Sequence, residues 1–279
     1  MKVRPFAACA GFLISMLLPL QAETNLERGK RIIDECVAAL GGDKFLNMDD
    51  RLEEGRAYSF YREQLNGLTI AKIYTRYLPG VKDTANTLAV REREFFGKKD
   101  ESSVLFLQDE AFDINFRGAR PIVSEQFARY KETTLRNILY ILRIRLHEPG
   151  MVFESRGADV LSNRAVEILD VADVQNRVTT VYFDRITKLP VRQIFLRRNT
   201  ETKEKDEEVT EFSKYRDIGG VQWPFAIHRE RNGEKTYEMY SETGEVNKKT
   251  SGDLFVLPST IKLLKKVAQA FLPVWFLEA

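Results

Sequence analysis

Apolar residues recur along the chain at two different spacings, and these spacings predict its elements. Within Asn25–Leu40 they fall every three or four positions, the period of a helix that buries one face. Gly41 and Gly42 follow, and glycine readily adopts the left-handed conformation found just past a helix end. We therefore predict a helix with Cys36 on its apolar stripe, and we expect a buried structural thiol there rather than a reactive one.

From residue 57 onward the pattern changes to short runs rich in β-branched and aromatic residues, which are typical of strands. Asn66-Gly67 lies between the first two runs and predicts a hairpin turn. In the run 221–230 apolar residues alternate with mixed ones, so one face of that strand is expected to be buried. The predicted strands are 57–61, 68–77, 88–96, 104–107, 151–155, 166–171, 178–183, 191–197, 209–215, 221–230 and 235–242. They predict a long, twisted, mainly antiparallel sheet.

Three further segments depart from the strand pattern. Residues 124–147 return to helical spacing among basic residues, which predicts one amphipathic helix or two short ones whose apolar face covers the sheet. The charged run 200–208 is interpreted as a solvated hairpin loop in preference to a phosphate or metal site. From 260 to 272 the lysines fall on one narrow arc of a helix, so this tail either packs on the domain or lies in a membrane interface; we favour packing.

The N-terminus carries the features of an export signal. Lys2 and Arg4 precede an almost wholly apolar stretch over residues 6–20, and Ala22 offers a small residue before a cleavage site at Glu23. An uncleaved anchor helix is the less favoured alternative, because the stretch is short and contains a proline. We predict a signal peptide over residues 1–22 and a periplasmic location for the mature protein.

Composition narrows the protein class. The chain has 279 residues, of which 43% are hydrophobic, which is ample for a core and argues against disorder. Two cysteines cannot staple a disulfide scaffold. Loss of Lys2 and Arg4 with the leader leaves as many basic residues as the 41 acidic ones, so the mature chain has no general field to attract nucleic acid.

The search for catalytic or metal-binding motifs is mostly negative. His147 and His228 are the two histidines, and neither has a second ligand at metal-binding spacing. No nucleophile elbow, phosphate-binding loop or dinucleotide glycine motif is present. The acid pairs Asp49-Asp50 and Glu53-Glu54 are interpreted as solvated surface. We expect no cofactor, no metal and no enzymatic activity.

Several segments resemble a known family when they are read together. The strand, turn and strand of 182–192, the step 215–224 with its Gly-Val-x-x-Pro, Asn247 with 253–258, and the helix end 38–42 are similar to segments of periplasmic proteins with the lipoprotein-carrier (LolA-like) fold. These proteins are often described as outer-membrane lipoprotein-sorting proteins. The matching motifs are turns and strand starts, so they indicate the fold more firmly than the cargo.

The local chemistry of these segments has simple explanations. Asp184 and Thr187 are suited to cap a tight turn. Gly219-Gly220 permits a bend that larger residues resist, and Pro224 is expected at an edge or a bulge.

The resemblance implies an α+β fold, a strongly curved antiparallel sheet that forms an unclosed half-barrel, with helices covering its concave face. It implies one lipoprotein-carrier-like domain over residues 23–258, followed by an amphipathic tail over residues 259–279. An apolar cavity between sheet and helices would shelter lipid or lipoprotein acyl chains. The residues predicted to line it are Phe127, Leu135, Ile138, Leu142, Trp223, Phe225 and Ile227.

Two functions follow from this interpretation. The favoured one is a periplasmic, non-enzymatic binding protein that carries or senses envelope lipid or lipoprotein acyl chains. The alternative is an envelope scaffold or signalling module with a filled core, whose tail docks on a partner or a membrane surface. An enzyme comes third, and it requires a buried carboxylate pair in a wet pocket.

Overall fold

The computed structural model describes residues 22–199 and 203–265. The predicted signal peptide up to residue 21 and the tail from residue 266 lie outside the described residues. Three helices occur in chain order, α1 (Asn25–Leu40), α2 (Asp43–Leu46) and α3 (Ser124–Arg136), followed by a short α4 (Ile138–Tyr140) that continues as a π-helical turn, Ile141–Arg145. Among the described residues, no helix is long and apolar enough to cross a bilayer.

One antiparallel sheet contains all thirteen strands found in the described chain. The strands are β1 (Asp50–Tyr61), β2 (Gln64–Tyr77), β3 (Val90–Phe96), β4 (Ser102–Phe106), β5 (Ala111–Asn115), β6 (Gly118–Pro121), β7 (Val152–Leu161), β8 (Arg164–Ala172), β9 (Val178–Asp184), β10 (Pro190–Arg198), β11 (Lys205–Asp217), β12 (Gln222–Arg231) and β13 (Glu234–Val246). Their spatial order is β6-β5-β4-β3-β2-β1-β13-β12-β11-β10-β9-β8-β7. The sheet is not closed into a barrel, so the predicted half-barrel of α+β class is confirmed.

The first hairpin does not turn where the sequence predicts. Arg62 and Glu63 form the two-residue turn with φ values of 48° and 64°, and Tyr61 pairs with Gln64. The predicted Asn66-Gly67 turn is wrong, because both residues lie inside β2. A shift of one residue in the pairing would turn the inward side chains of β2 to the outer face. The buried side chains of β1 and β2 therefore favour the longer hairpin, which turns at Arg62 and Glu63.

Helix α1 spans the predicted segment. Thr24 and Glu27 form a reciprocal capping box at its start, and its apolar stripe is buried with Cys36 fully enclosed and free. Burial raises the pKa of the Cys36 thiol, so the residue stays protonated, as expected for a structural cysteine.

The predicted helical segment 124–147 divides into two at Asn137. The Asn137 side chain accepts hydrogen bonds from the backbone N–H groups of Leu139 and Tyr140 and so begins α4. The buried Gln193 of β10 accepts from the N–H of Ile138 at 2.8 Å. The chain therefore begins a second, separately capped helix after Asn137 and changes direction over the concave face.

Apolar side chains bury into three clusters. The largest lies between α1, α4 and the inner side of the strands from β8 to β12, and a second lies where α3 faces β1 to β4 and β13. The third is on the outer side of β4 to β6, under Leu257 and Ile261. The start of the tail therefore packs on the domain.

The described part of the tail is extended rather than helical. The N–H of Ala119 donates to the carbonyl of Lys262, and the N–H of Leu264 donates to the carbonyl of Ala119. Residues 260–265 therefore run along β6, and the predicted helix does not begin at residue 260.

Two interpretations of charged segments need correction. Residues 205–208 belong to β11 rather than to a solvated loop, and Asp206 is buried against Asn199 and Asn232. The acid pairs are not solvated pairs either, because Asp50 and Glu53 are each 3% exposed. Glu53 faces the concave side of the sheet, whereas the Asp50 carboxylate accepts hydrogen bonds from the N–H groups of Lys248 and Thr250.

The turns that carry the family resemblance have the expected chemistry. Asp184 accepts hydrogen bonds from the N–H groups of Ile186 and Thr187, both at 2.8 Å. Gly219 and Gly220 have φ values of 76° and 90°, a region that favours glycine.

Candidate functional site: a roofed cavity on the concave face

A cavity of about 150 Å³ lies between the concave face of the sheet and the helices α3 and α4. Strands β1 to β4 and β11 to β13 form its floor. Its apolar lining includes Phe96, Phe106, Tyr130, Trp223, Ile227 and Met239. The volume is close to that of an engineered apolar cavity that binds benzene.

Helix α3 forms the roof through two aromatic residues. Tyr130 stacks on Phe106 of β4 with ring centroids 3.7 Å apart, and Phe127 lies 6.3 Å from Tyr130. Leu135 is the buried residue of this helix, and the others are half-buried or exposed. The roof therefore rests on a small area of apolar contact.

The floor of the cavity is polar at its centre, around Glu53. The indole Nε1 of Trp223 donates to Glu53 at 2.9 Å, and the Ser241 hydroxyl donates to its other oxygen at 3.0 Å. Arg51 forms a buried ion pair with the same carboxylate, and its guanidinium carbon lies 4.1 Å from the centre of the Trp223 ring. Three side chains therefore contact the buried Glu53 carboxylate inside the sheet.

The hydrogen bonds continue from this centre to the roof. Arg51 donates to the Thr75 hydroxyl at 2.9 Å, and Thr75 donates to Glu92 at 3.0 Å. The Tyr130 hydroxyl of α3 lies 3.5 Å from the other oxygen of Glu92. A continuous polar chain thus crosses β1, β2 and β3 and ends on the helix.

Glu92 and Glu94 form a carboxyl pair in this cavity. They are two residues apart on β3, so both face inward. Burial raises the pKa of Glu94 well above its usual range, and the neighbouring Glu92 raises it further by repulsion and hydrogen bonding. Glu94 lies deep in the protein yet keeps some accessible surface, because that surface borders the cavity rather than bulk water.

The two carboxyls also affect the tyrosines around them. Burial raises the pKa values of Tyr130 and Tyr237, and the nearby charges of Glu92 and Glu94 add to both shifts. Both phenols therefore stay protonated at neutral pH and act as hydrogen-bond donors.

The sequence-predicted lining residues divide into three groups in the structure. Trp223 and Ile227 border the cavity. Phe127 is half-buried and packs against both the main core and the cluster under α3. The remaining four are buried in the main core next to the cavity, and their contact with a guest stays a prediction. These four are Leu135, Ile138, Leu142 and Phe225.

Sequence reasoning missed the polar half of the site. Arg51, Glu53, Glu92 and Glu94 occur in strands whose charged residues look solvated. The spacing of these charges along their strands could have indicated the site. Residues at i and i+2 of a strand share a face, so a charge that continues an apolar alternation faces the same side as the apolar residues. In β3 that face contains Val90, Glu92, Glu94 and Phe96.

A second depression, of about 800 Å³, lies mainly on the outer side of β9 and β10. It is larger but open to solvent, with basic residues such as Arg156 and Arg198 on its walls. Because enclosure rather than volume removes a ligand from water, we regard the smaller roofed cavity as the candidate site. No group of three or more His, Cys, Asp or Glu residues in ranges 22–199 and 203–265 is arranged to hold a metal ion.

Comparison with solved structures identifies the fold. A DUF1329 family protein from Desulfovibrio piger superposes with a TM-score of 0.58 at 12% identity, covering 84% of this chain and 98% of the other. A putative outer membrane lipoprotein-sorting protein domain from Vibrio parahaemolyticus has a TM-score of 0.55 at 11% identity, covering 83% and 97%. A LolA superfamily protein from Nitrosomonas europaea has a TM-score of 0.50 at 8% identity, covering 82% and 97%.

These similarities show a LolA-like fold for the chain. No family model and no curated protein matches the sequence itself. The likeness therefore lies in the architecture, as the turn motifs predict.

Proposed function

With the LolA-like fold as the premise, we propose that this chain is an exported, non-enzymatic binding protein of the periplasm. It shelters acyl chains of a lipid or lipoprotein between the concave face of the sheet and α3, in the trafficking or sensing of envelope lipids. The observation that carries the proposal is the roofed cavity. The lipoprotein-sorting description of a protein with the same fold agrees with this role.

The cavity represents a closed state of the binding site. Pockets for ligands of ordinary size occupy roughly 300 to 1,000 Å³, so an acyl chain enters only when α3 moves outward. That movement breaks the stacking of Tyr130 on Phe106 and the hydrogen bond to Glu92, which together cost about 2 to 3 kcal/mol. Burial of ten methylenes returns about 8 kcal/mol, which is enough to hold the site open.

The guest contacts follow from this movement. Trp223 and Ile227 on the floor meet the chain first, and Phe127 on the inner side of α3 covers it. Trp223 also reports on the site, because Trp275 is the only other tryptophan and can be replaced by phenylalanine.

Binding can be tested with an uncharged probe. Native mass spectrometry of protein recovered from an envelope fraction should show co-purified lipid. Titration of the Trp275→Phe protein with 1-dodecanol should change Trp223 fluorescence and saturate. Ile227→Phe, which fills the cavity, should weaken dodecanol binding about tenfold or more. Leu196→Phe is the matched control, since Leu196 is 49% exposed on β10.

The roof can be tested separately by amide hydrogen exchange. Amides of α3 should exchange faster than those of α1, because α3 buries one residue and α1 buries a full stripe. Saturating dodecanol should change exchange in α3 and leave α1 unaffected. Equal protection of the two helices in the free protein would contradict a mobile roof.

The scaffold or signalling role remains the alternative, and two observations favour it. The cavity is small, and the start of the tail is fixed to β6 by the hydrogen bonds of Ala119. Deletion of residues 259–279 distinguishes the two functions. The alternative is supported if the full chain does not bind dodecanol and the deletion removes association with a partner or with membranes.

A further inference from the structure

The charged groups of the cavity indicate which kind of guest it accepts. We propose that the guest carries an ammonium group bound between Glu92 and Glu94, so that amphiphilic amines bind in preference to fatty acids of the same length. This inference rests on the proposed function, because it assigns a chemical class to the guest of the same cavity.

Net charge is the first argument. Three carboxyls and two guanidiniums line the cavity, namely Glu53, Glu92, Glu94, Arg51 and Arg229. Arg51 and Glu53 neutralise each other as an ion pair, and the positive charge of Arg229 offsets one of the remaining carboxyls. The other carboxyl has no guanidinium to balance its charge when it ionises, so an ammonium guest can take that place and a carboxylate guest cannot.

The aromatic surroundings are the second argument. Tyr130, Phe106 and Tyr237 line the same cavity, and the guanidinium of Arg229 already lies 5.3 Å from the Tyr237 ring centre. The faces of aromatic rings attract cations, most strongly where water is excluded. The faces of these rings offer no such attraction to a carboxylate.

Proton exchange gives the site a specific signature. Burial and the neighbouring Glu92 raise the pKa of Glu94, which favours a bound proton on this carboxyl. An arriving ammonium replaces that proton, so one positive charge enters and one proton leaves to solvent. The titratable and charged groups that face the pair are Tyr130 on α3, Arg51 and Glu53 on β1, Arg229 on β12 and Tyr237 on β13.

Calorimetry with three probes of one length tests the inference. Dodecylamine, 1-dodecanol and dodecanoate are titrated at pH 7, below their micelle concentrations, in two buffers of different ionisation enthalpy. We expect dodecylamine to bind about tenfold tighter than dodecanol, the equivalent of one favourable charge interaction, with dodecanoate weakest. We expect about one proton released per amine bound and none per dodecanol.

Variants assign the effect to the carboxyl pair. Glu94→Gln should abolish proton release and bring the affinity for dodecylamine to the affinity that the same variant has for dodecanol. Glu92→Gln provides a second variant if the first fails to fold. Glu54→Gln is the matched control, because Glu54 follows Glu53 on β1 and faces the outer side of the sheet.

The outcomes separate the inference from the function on which it rests. Saturable dodecanol binding without preference for the amine, or tighter binding of dodecanoate, overturns the ammonium site and leaves the cavity function intact. Failure of all three probes to bind overturns both.

Discussion

Arg145 is a guanidinium almost wholly enclosed by protein, with 1% of its surface exposed. It donates to Glu148 at 2.7 Å, to the Leu135 carbonyl at 2.7 Å and to Asp173 at 2.9 Å. Arg177 adds a second ion pair to Asp173. This cluster connects the end of α3 and the π-helical turn to the β8–β9 connection, so it fixes the base of the roof while the rest of α3 stays lightly held.

Replacing this arginine should be costly. Arg145→Met leaves the carboxylates of Glu148 and Asp173 buried with fewer partners, and we expect a loss of about 3 to 5 kcal/mol in the free energy of unfolding. Urea denaturation measures the change. Arg56→Met is the control, because the Arg56 pair with Glu242 is exposed and should contribute less than about 1 kcal/mol. Similar losses in both variants would contradict a structural role for the cluster.

Individual elements differ in how far the sequence predicts them. The helix α1 follows from its periodicity and cap, and all eleven predicted strands lie at least partly in β1 to β4 and β7 to β13. Strands β5 and β6 were missed, because Ala111–Asn115 and Gly118–Pro121 are too short to show an alternation. They are stabilised by pairing with β4 and by the tail, which no local pattern shows.

The site is harder to predict than the elements around it. Trp223 and Ile227 were found because they continue an apolar alternation. The position of Glu92 beneath Tyr130 depends instead on pairing between strands and on the path of the chain after Asn137. Such contacts connect residues far apart in sequence, so neither composition nor spacing indicates which charges share a cavity.

Helix α1 approaches the sheet closely at Gly29. A Cβ atom at this position would lie 2.1 Å from the Phe153 carbonyl oxygen of β7. Helix propensity alone favours alanine by about 1 kcal/mol, but the clash with backbone outweighs it. We expect Gly29→Ala to lower the thermal midpoint, whereas Lys30→Ala at the next, exposed position should leave it nearly unchanged. A higher midpoint for Gly29→Ala would show that α1 has room to shift.

The tail depends on a second glycine. Gly118 has a φ of 136°, and a Cβ atom there would lie 2.2 Å from the Lys262 carbonyl oxygen. Gly118→Ala should cost about 1 to 3 kcal/mol in strain and displace residues 259–265 from β6. Limited proteolysis should then cut this segment faster than in the Gly252→Ala control, whose nearest neighbour is 3.8 Å away. Unchanged cleavage would contradict this tail contact.

For the molecule as a whole, buried charges determine how stability varies with pH. Burial alone would raise the pKa of Asp173, but hydrogen bonds from Arg177 and Arg145 outweigh it and lower the pKa to about 2. This contribution is present above the ordinary value of 3.8 and is lost as pH falls from there towards 2. Glu94 acts in the opposite sense, because its pKa is raised.

The high-pH side of the stability profile tests the carboxyl pair. Above the ordinary value of 4.5, the folded protein holds a proton on Glu94 that the unfolded chain has lost. Stability should therefore fall as pH rises, by up to about 1.4 kcal/mol per pH unit, until Glu94 ionises in the folded state. In Glu94→Gln this decline should disappear, while the acid side stays the same. Urea denaturation from pH 3 to 9 measures both sides, and an unchanged slope in the variant contradicts the assignment.

The strand order also has a consequence for biogenesis. Every neighbouring pair in the sheet joins consecutive strands except β1 and β13, where Arg51 lies opposite Val246. During synthesis β2 to β6 and β7 to β12 can each form as local meanders of consecutive strands. The free edge of β1 can pair only after β13, near the end of the chain, has been made. The pairing of β1 with β13 therefore forms last. Until it forms, each half of the sheet exposes an unpaired strand edge that can pair with other chains, and a chaperone is most useful in this period.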